Sequence, residues 1–320
     1  MSITRRAGLA LPGLLLSVKA GAQQSGAIRI VVPFAPGGST DAVARLAAPG
    51  LSSRLGVPVL VENRSGAAGS LGTHAVAQAR SDGTTWLLTF DSHATLPALL
   101  PNLPFNLTGD LDPVMLIGGA PYVIATRPDK PYRSLGDIVS AARARPDAVN
   151  YGSTGNGTIG HLTMVRLCVQ AGVQMAHLPY RGGGLAVNDT VAGHVELMIG
   201  SAALVAPHIS AGTLRAVAQF GPERLPALAQ VPTAAESGFP GLEAEAWWGV
   251  FAPHGTPAPM VERMREALAE SFREERVARI MTDTQQARLV LGGPEVLKEF
   301  LDRQVALWSA VVREHRVQVD

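Results

Sequence analysis

The sequence predicts an α/β fold of two domains with largely parallel sheets, and three observations carry that expectation. Short β-rich runs alternate with helical stretches along most of the chain. At 320 residues the length suits about two domains of roughly 150 residues each. Residues are 47% hydrophobic and 17% charged, which describes a chain able to bury a core.

The first residues point to export. Arg5 and Arg6 precede an apolar stretch at residues 7–18, and Ala20, Gly21 and Ala22 then supply small residues in A-x-A spacing. That stretch is too short to cross a bilayer core of about 30 Å, and Pro12 and Gly13 interrupt it. Residues 1–22 are therefore expected to be a signal peptide that delivers the chain to the periplasm. A basic start of this kind suits the general secretory route and the twin-arginine route alike.

The next residues set up the alternation. The run at 28–32 is followed by a Gly-Pro loop and a helix from 41 to 55. Further β-like runs fall at 57–61, 85–89, 121–126, 148–151, 174–179, 195–199 and 214–218, most of them followed by helices. Amphipathic helices are expected at 258–274 and 294–316. Pro-rich breaks at 127–131 and 222–240 suggest a middle domain at residues 126–236, inserted into a discontinuous first domain of residues 23–125 plus 237–320. Two connections between domains make a hinge.

Charge and cysteine usage narrow the function. Lys and Arg total 27 against 26 Asp and Glu, a formal charge of +1, so there is no field to hold nucleic acid by counterion release. The single cysteine, Cys168, falls in the apolar pattern of a helix and reads as a buried, inert thiol. No G-x-S-x-G, H-E-x-x-H, C-x-x-C or Walker loop occurs. The histidines lack metal-ligand spacing, so neither a metal nor a cofactor is expected.

Two loops have the composition of anion sites. The first, Pro33-Phe34-Ala35-Pro36-Gly37-Gly38-Ser39-Thr40-Asp41, joins a strand to a helix. Its glycines let backbone N–H groups approach a ligand, and Ser39 or Thr40 can cap the helix while offering a hydroxyl. The second runs from Tyr151 through Ser153, Gly155, Asn156, Gly157 and Thr158 and repeats the design. Two helix N-termini facing each other from different domains would grip a carboxylate, or the two ends of a diacid, and ligand would drive closure. Gly155 to Gly160 also spells G-x-G-x-x-G, but the segment about 20 residues on, His177-Leu178-Pro179-Tyr180-Arg181, has no acidic residue for a ribose hydroxyl. His93, in Phe90-Asp91-Ser92-His93-Ala94, follows a strand where ligand groups collect in open α/β sheets. Trp247 and Trp248 read as core packing beside the hinge.

These segments together resemble the substrate-binding proteins of tripartite tricarboxylate transporters, also called the Bug family. The resemblance covers nearly all of the mature chain. It rests on residues 31–41, on Val61-Glu62-Asn63-Arg64 with the Gly-rich stretch 66–73, and on Asn150-Tyr151-Gly152-Ser153 through His161-Leu162. Pro179-Tyr180-Arg181-Gly182, Pro207-His208-Ile209, Val231-Pro232-Thr233-Ala234 and Phe251-Ala252-Pro253 extend it. The resemblance implies a periplasmic-binding-protein type II fold, two α/β lobes around a cleft, with no enzymatic activity. Such a receptor delivers a small carboxylate to membrane permease subunits, or presents its closed form to a sensor kinase. Carried over by position, it puts Pro36, Gly37, Gly38, Ser39 and Thr40 on one side of the ligand and Ser153, Asn156, Gly157 and Thr158 on the other. Ser92 and His93 would line the cleft, with Ser70 a further candidate. Where family members often carry an acidic residue after a second-domain strand, this chain has Gly200 and Ser201, which argues against a ligand ammonium and for an unaminated mono- or dicarboxylate. A monomer is expected for a receptor that docks on a permease. The competing expectation from another class is an exported hydrolase or lyase using His93 with Asp91 or Ser92 as acid–base groups.

Overall fold

The computed structural model describes residues 26–100 and 102–317. The expected signal peptide lies outside the described residues. The chain opens with β1 (Ile28–Val32), α1 (Ser39–Leu55), β2 (Val59–Asn63), α2 (Ser70–Ala77), β3 (Thr85–Phe90), a helical turn at Asp91–Ala94, α3 (Leu96–Leu99) and β4 (Leu111–Thr126). It continues with α4 (Leu135–Ala144), β5 (Asn150–Ser153), α5 (Ile159–Ala171), β6 (Ala176–Pro179), α6 (Gly183–Ala192), β7 (Leu197–Ser201), α7 (Ala202–Ser210) and β8 (Arg215–Gln219). β9 (Glu245–Pro253), α8 (Ala258–Arg273), α9 (Glu275–Arg279), β10 (Arg288–Gly292) and α10 (Pro294–Glu314) complete it.

Helix ends follow the local chemistry. Thr158 caps α5 through its side chain, and Ser134 with Asp137 forms a capping box at α4. Gly56, Gly172 and Gly193 end α1, α5 and α6 in the left-handed conformation that glycine adopts without penalty. α1 runs on through Pro49, and its neighbour Gly50 serves packing: a Cβ there would lie 2.7 Å from the Ser271 hydroxyl on α8.

The strands form one path, β2-β1-β3-β9-β4-β7-β5-β6, with β8 and β10 also paired to β4. The pairs β1·β2, β1·β3, β5·β6 and β5·β7 are parallel, as the βα alternation predicts. Every pair that includes β4 or β9 is antiparallel, so the sheets are mixed. The physical reason is that these two strands carry the chain from one lobe to the other and back, and a returning strand runs against its neighbours.

β4 belongs to both lobes. From Leu111 to Pro121 it pairs with β9, and from Tyr122 to Thr126 it pairs with β7. The passage is tied by backbone bonds, from Tyr122 N–H to Ala244 O at 3.0 Å, from Phe220 N–H to Tyr122 O at 2.8 Å and from Ala244 N–H to Phe220 O at 2.9 Å. Trp247 and Trp248 are buried in the core of β9, against Phe300 and Phe90 respectively, as expected.

β4 accepts β10 and β9 on its two edges only because Gly118 and Gly119 lack side chains. A Cβ on Gly118 would collide with the Arg288 carbonyl oxygen, and one on Gly119 would lie 2.7 Å from the Ala246 carbonyl oxygen. Gly118→Ala is therefore expected to cost about 1–3 kcal/mol through overpacking against backbone. Denaturant unfolding measures it, and a midpoint equal to that of the parent would contradict this packing.

Candidate ligand-binding site

The β1–α1 loop is built to leave amides free. Gly38 is the N-cap of α1 and supplies no side chain, so neither Ser39 nor Thr40 caps the helix as the sequence suggested. Both sit buried in its first turn, while Pro36 and Gly37 are exposed. Gly37 needs its φ of 83° for the turn. Asp41 fixes the loop from within: its carboxylate accepts from Gly37 N–H at 3.0 Å, from Arg45 Nε at 2.9 Å and from Asn63 Nδ2 at 3.0 Å. Burial pushes the Asp41 carboxyl up, but these hydrogen bonds and the Arg45 charge outweigh it and hold the group below the usual carboxylate range.

The β5–α5 loop uses its side chains on itself. Ser153 Oγ donates to Gly155 O at 3.0 Å and lies 2.7 Å from His177 Nε2. Thr158 Oγ1 donates to Gly155 O at 2.9 Å, and Gly157 N–H donates to His161 Nδ1 at 3.0 Å. His161 and His177 stack at 3.9 Å with an interplanar angle of 8°. The sequence shows the histidines only as scattered residues without metal-ligand spacing. These two instead meet behind the loop, because the β5·β6 register sets Tyr151 beside His177. Asn156 is half-buried at the loop's tip.

The loop after β3 joins the same region. Ser92 Oγ donates to Ala68 O at 3.0 Å, in the Gly-rich turn that precedes Ser70 and α2, and Ser70 is buried. His93 is buried against Phe251 at 4.7 Å between ring centroids, with neither ring nitrogen hydrogen-bonded. Asp91, also fully buried, accepts from the Tyr122 hydroxyl at 2.5 Å through Oδ2, while its Oδ1 has no partner. In the second lobe Gly200 packs so closely that a Cβ would lie 3.0 Å from both Leu204 and Met198. Ser201 is the N-cap of α7, and its buried hydroxyl is unpartnered.

The seam between the lobes contains a group the sequence reading missed, Gly182, Gly183 and Gly184 at the start of α6. Ala35 N–H donates to Arg181 O at 3.2 Å across the seam. A Cβ on Gly38 would lie 3.6 Å from the Gly183 nitrogen and 3.9 Å from the Gly184 nitrogen. Thr154 borders Gly183, and Leu99 of the first lobe presses on Gly157. The motif Pro179-Tyr180-Arg181-Gly182 and the glycines after it were the available signal.

An acid–base constellation is absent from these contacts. Asp91 is committed to Tyr122 and Ser92 to Ala68, so His93 has no nucleophile or orienting carboxylate bonded to it. Burial holds the His93 imidazole down to about 3, neutral and without a partner. Cys168 is half-buried, and burial pushes its thiol up to about 11, as an inert thiol requires. A cavity of about 960 Å³ lined by Phe220, Leu225, Glu245, Arg288, Leu307 and Trp308 includes none of the expected ligand residues. Among the described residues there is no metal-binding cluster, and no helix is long and apolar enough to cross a membrane.

Two α/β lobes closing on opposed helix N-termini define a solute-binding protein of the periplasmic type. The chain belongs to the family described as tripartite tricarboxylate transporter family receptor, whose profile matches residues 43–317. It is similar to the periplasmic binding protein BugD, at 31% identity and a TM-score of 0.87 over 91% of this chain and 98% of that one. It is similar to Rpa4515 of R. palustris, solved with adipate, at 30% identity and a TM-score of 0.87 over 92% and 99%. MatC of Rhodopseudomonas palustris, solved with malate, matches at 32% identity and a TM-score of 0.85 over 89% and 98%. The resemblance expected from the sequence is borne out: the protein is a solute-binding receptor and not an enzyme, and the hydrolase expectation is set aside.

The buried imidazoles carry a pH dependence. Burial holds His161 to about 4, and burial together with the His161 ring holds His177 to about 3, with His93 at about 3 as well. The unfolded chain protonates all three below about 6.5, whereas the folded chain does not, so stability falls as pH drops from 6.5 towards 4. Asp91, raised by burial to about 8, acts oppositely and cancels part of the slope above pH 4. Melting temperatures from pH 7 to pH 4 should decline, and His93→Phe should flatten the decline. A flat profile in the parent protein would refute this account.

Proposed function

We propose that the protein captures a small mono- or dicarboxylate in the seam between its lobes, in the periplasm, and hands it to the membrane subunits of a tripartite tricarboxylate-type transporter, acting as a monomer. The observation that carries this reading is the pair of N-terminal turns, Gly38 of α1 and Gly183 with Gly184 of α6, meeting across the seam without side-chain caps. Such amides, aided by the helix dipoles, favour an anion. The adipate and malate of the two relatives support a carboxylate.

On this reading Pro36, Gly37, Gly38, Ser39 and Thr40 face the ligand from the first lobe. Ser153, Asn156, Gly157, Thr158, Gly200 and Ser201 face it from the second, with Ser92, His93 and Ser70 behind. Several of these hydroxyls are engaged in shaping the loops, so much of the grip falls to backbone N–H groups. Charge-assisted hydrogen bonds of roughly 1.5–3 kcal/mol each, from several amides, reach the roughly 8 kcal/mol of a micromolar receptor after closure costs. The lobes, residues 23–125 plus 237–320 and residues 126–236 to a first approximation, would turn about the strands that join them.

A thermal-shift screen of the purified protein against mono-, di- and tricarboxylates, amino acids and nicotinamide cofactors tests the reading. Ligand at about 100 times its dissociation constant adds about 2.7 kcal/mol. Stabilisation by one or a few carboxylates is expected, and stabilisation by a cofactor alone would sink it. Gly184→Val tests closure: even a Cβ there would lie 2.9 Å from the Gly37 carbonyl carbon and 3.1 Å from the Pro36 oxygen. The variant should keep its melting temperature and bind at least about tenfold more weakly. Unchanged affinity would mean that ligand does not need this seam closed.

A further inference from the structure

The residue that the anion loops do not explain is Asp91. It is fully buried at the C-terminal end of β3, in the first lobe. Its Oδ2 accepts from the Tyr122 hydroxyl, the Ser92 N–H also reaches the carboxyl, and Oδ1 has no partner. Among the described residues no lysine or arginine pairs with it.

Tyr122 places Asp91 beside the ligand seam. It is the residue at which β4 begins to pair with β7, and its register partner is Ser201, whose hydroxyl is also buried and unpartnered. Partners in register stand on one face of a sheet, with Cβ atoms about 4.5–5.5 Å apart. The Tyr122 ring lies under the first turn of α5, since a Cβ on Gly160 would come within 2.8 Å of its Cε1. The Thr154 hydroxyl approaches the Tyr122 phenol without forming a full hydrogen bond. A carboxyl, two hydroxyls and a phenol from both lobes thus gather next to the α5 anion loop.

A buried carboxyl with hydrogen-bond donors but no cation is more stable neutral than charged. With Oδ2 already accepting from Tyr122, the acid proton belongs on Oδ1, where it makes a donor. We propose that Asp91 sets the ligand class: in its acid form it donates from Oδ1 to the second carboxylate of a dicarboxylic ligand, so that the dianion binds with one proton held between two carboxyl groups. This rests on the receptor reading above and deepens it. An ionised Asp91 would repel that second carboxylate and must first take up a proton from solvent.

Burial raises the Asp91 carboxyl to about 8, so the proton is present at pH 7 and mostly lost at pH 9. The neighbouring titratable groups keep one charge across that range. Burial and the Asp91 charge raise Tyr122 well above the ordinary phenol, while His93 and His161 stay neutral and Asp41, paired with Arg45, stays ionised.

Isothermal titration with succinate, malate and adipate at pH 7 and pH 9, where such ligands are fully ionised, tests the proposal. Affinity should fall about tenfold from pH 7 to pH 9, with close to one proton taken up per ligand at pH 9 when buffers of different ionisation enthalpy are compared. Asp91→Asn, which keeps an N–H donor, should bind the same dicarboxylate with equal affinity at both pH values, its fold checked by its melting curve. Equal affinity of the parent at pH 7 and pH 9 would overturn the proposal. So would tighter binding of aspartate than of succinate, rising with pH, since that would make Asp91 the counterion of an ammonium. If no carboxylate binds at either pH, the receptor reading itself fails.

Discussion

Strand β4 must serve two sheets at once, and most of the architecture can be read as the means of letting it. Its first part lies between β9 and β10 and its last part between β7 and β8, so it is interior in both lobes. An interior strand needs every backbone group bonded on both edges, and here the partners change midway. Pro121 lacks an N–H at the point where β9 gives way to β7, so no donor is stranded there. Gly118 and Gly119 let β10 and β9 come in close, and the register of β4 against β9 shifts twice before the changeover.

That constraint fixes what the seam can be made of. The lobes approach through loops at the C-terminal ends of β1, β3, β5, β6 and β7, and those after β1 and β6 are close enough for Ala35 N–H to bond Arg181 O. Backbone contact at that distance excludes side chains, which is why Gly38 meets Gly183 and Gly184. Hydroxyls within the loops are then free to shape the chain, as Ser153, Thr158 and Ser92 do. On the proposed reading, an amide cradle of this kind recognises a charge and says little about the rest of the ligand. Discrimination must come from the few side chains around it that are not part of the scaffold.

Local chemistry was legible in the sequence and long-range partnership was not. β1, β3 and the middle strands are apolar runs bounded by glycine and proline, and α8 and α10 show helical period, so each could be placed within a few residues. The first part of β4 was not, because Pro113, Gly118 and Gly119 are residues that ordinarily break strands, while here they serve a bulged, crossing strand. β9 was visible only through Trp247 and Trp248 as core residues beside the hinge, since nothing local marks a strand as antiparallel. The first anion loop was visible from its glycines, whereas the role of Gly184 depends on a lobe that arrives more than a hundred residues later. His161 and His177 meet only once β5 and β6 are in register, and Asp91 and Tyr122 only once β4 passes the end of β3.

Four of the nine described residues that keep a buried side-chain polar atom without a partner lie at the seam, while His74, Arg215, Trp247, Trp248 and Gln285 lie elsewhere. A buried polar atom without a partner costs about 1–3 kcal/mol, and a sequence selected for stability alone would replace it. Asp91, His93, Thr154 and Ser201 all keep such atoms, and all lie at or just past the ends of β3, β5 and β7, the edge where open α/β sheets hold ligands. Asp41 shows that the same fold satisfies a buried carboxylate fully when its task is to brace a loop, with a backbone amide, an asparagine and an arginine all engaged. Asp91 receives no cation although it is more deeply buried. The contrast between two aspartates of one lobe, one neutralised by design and one left with a free oxygen, is the kind of local inconsistency that folds retain where they act rather than where they pack.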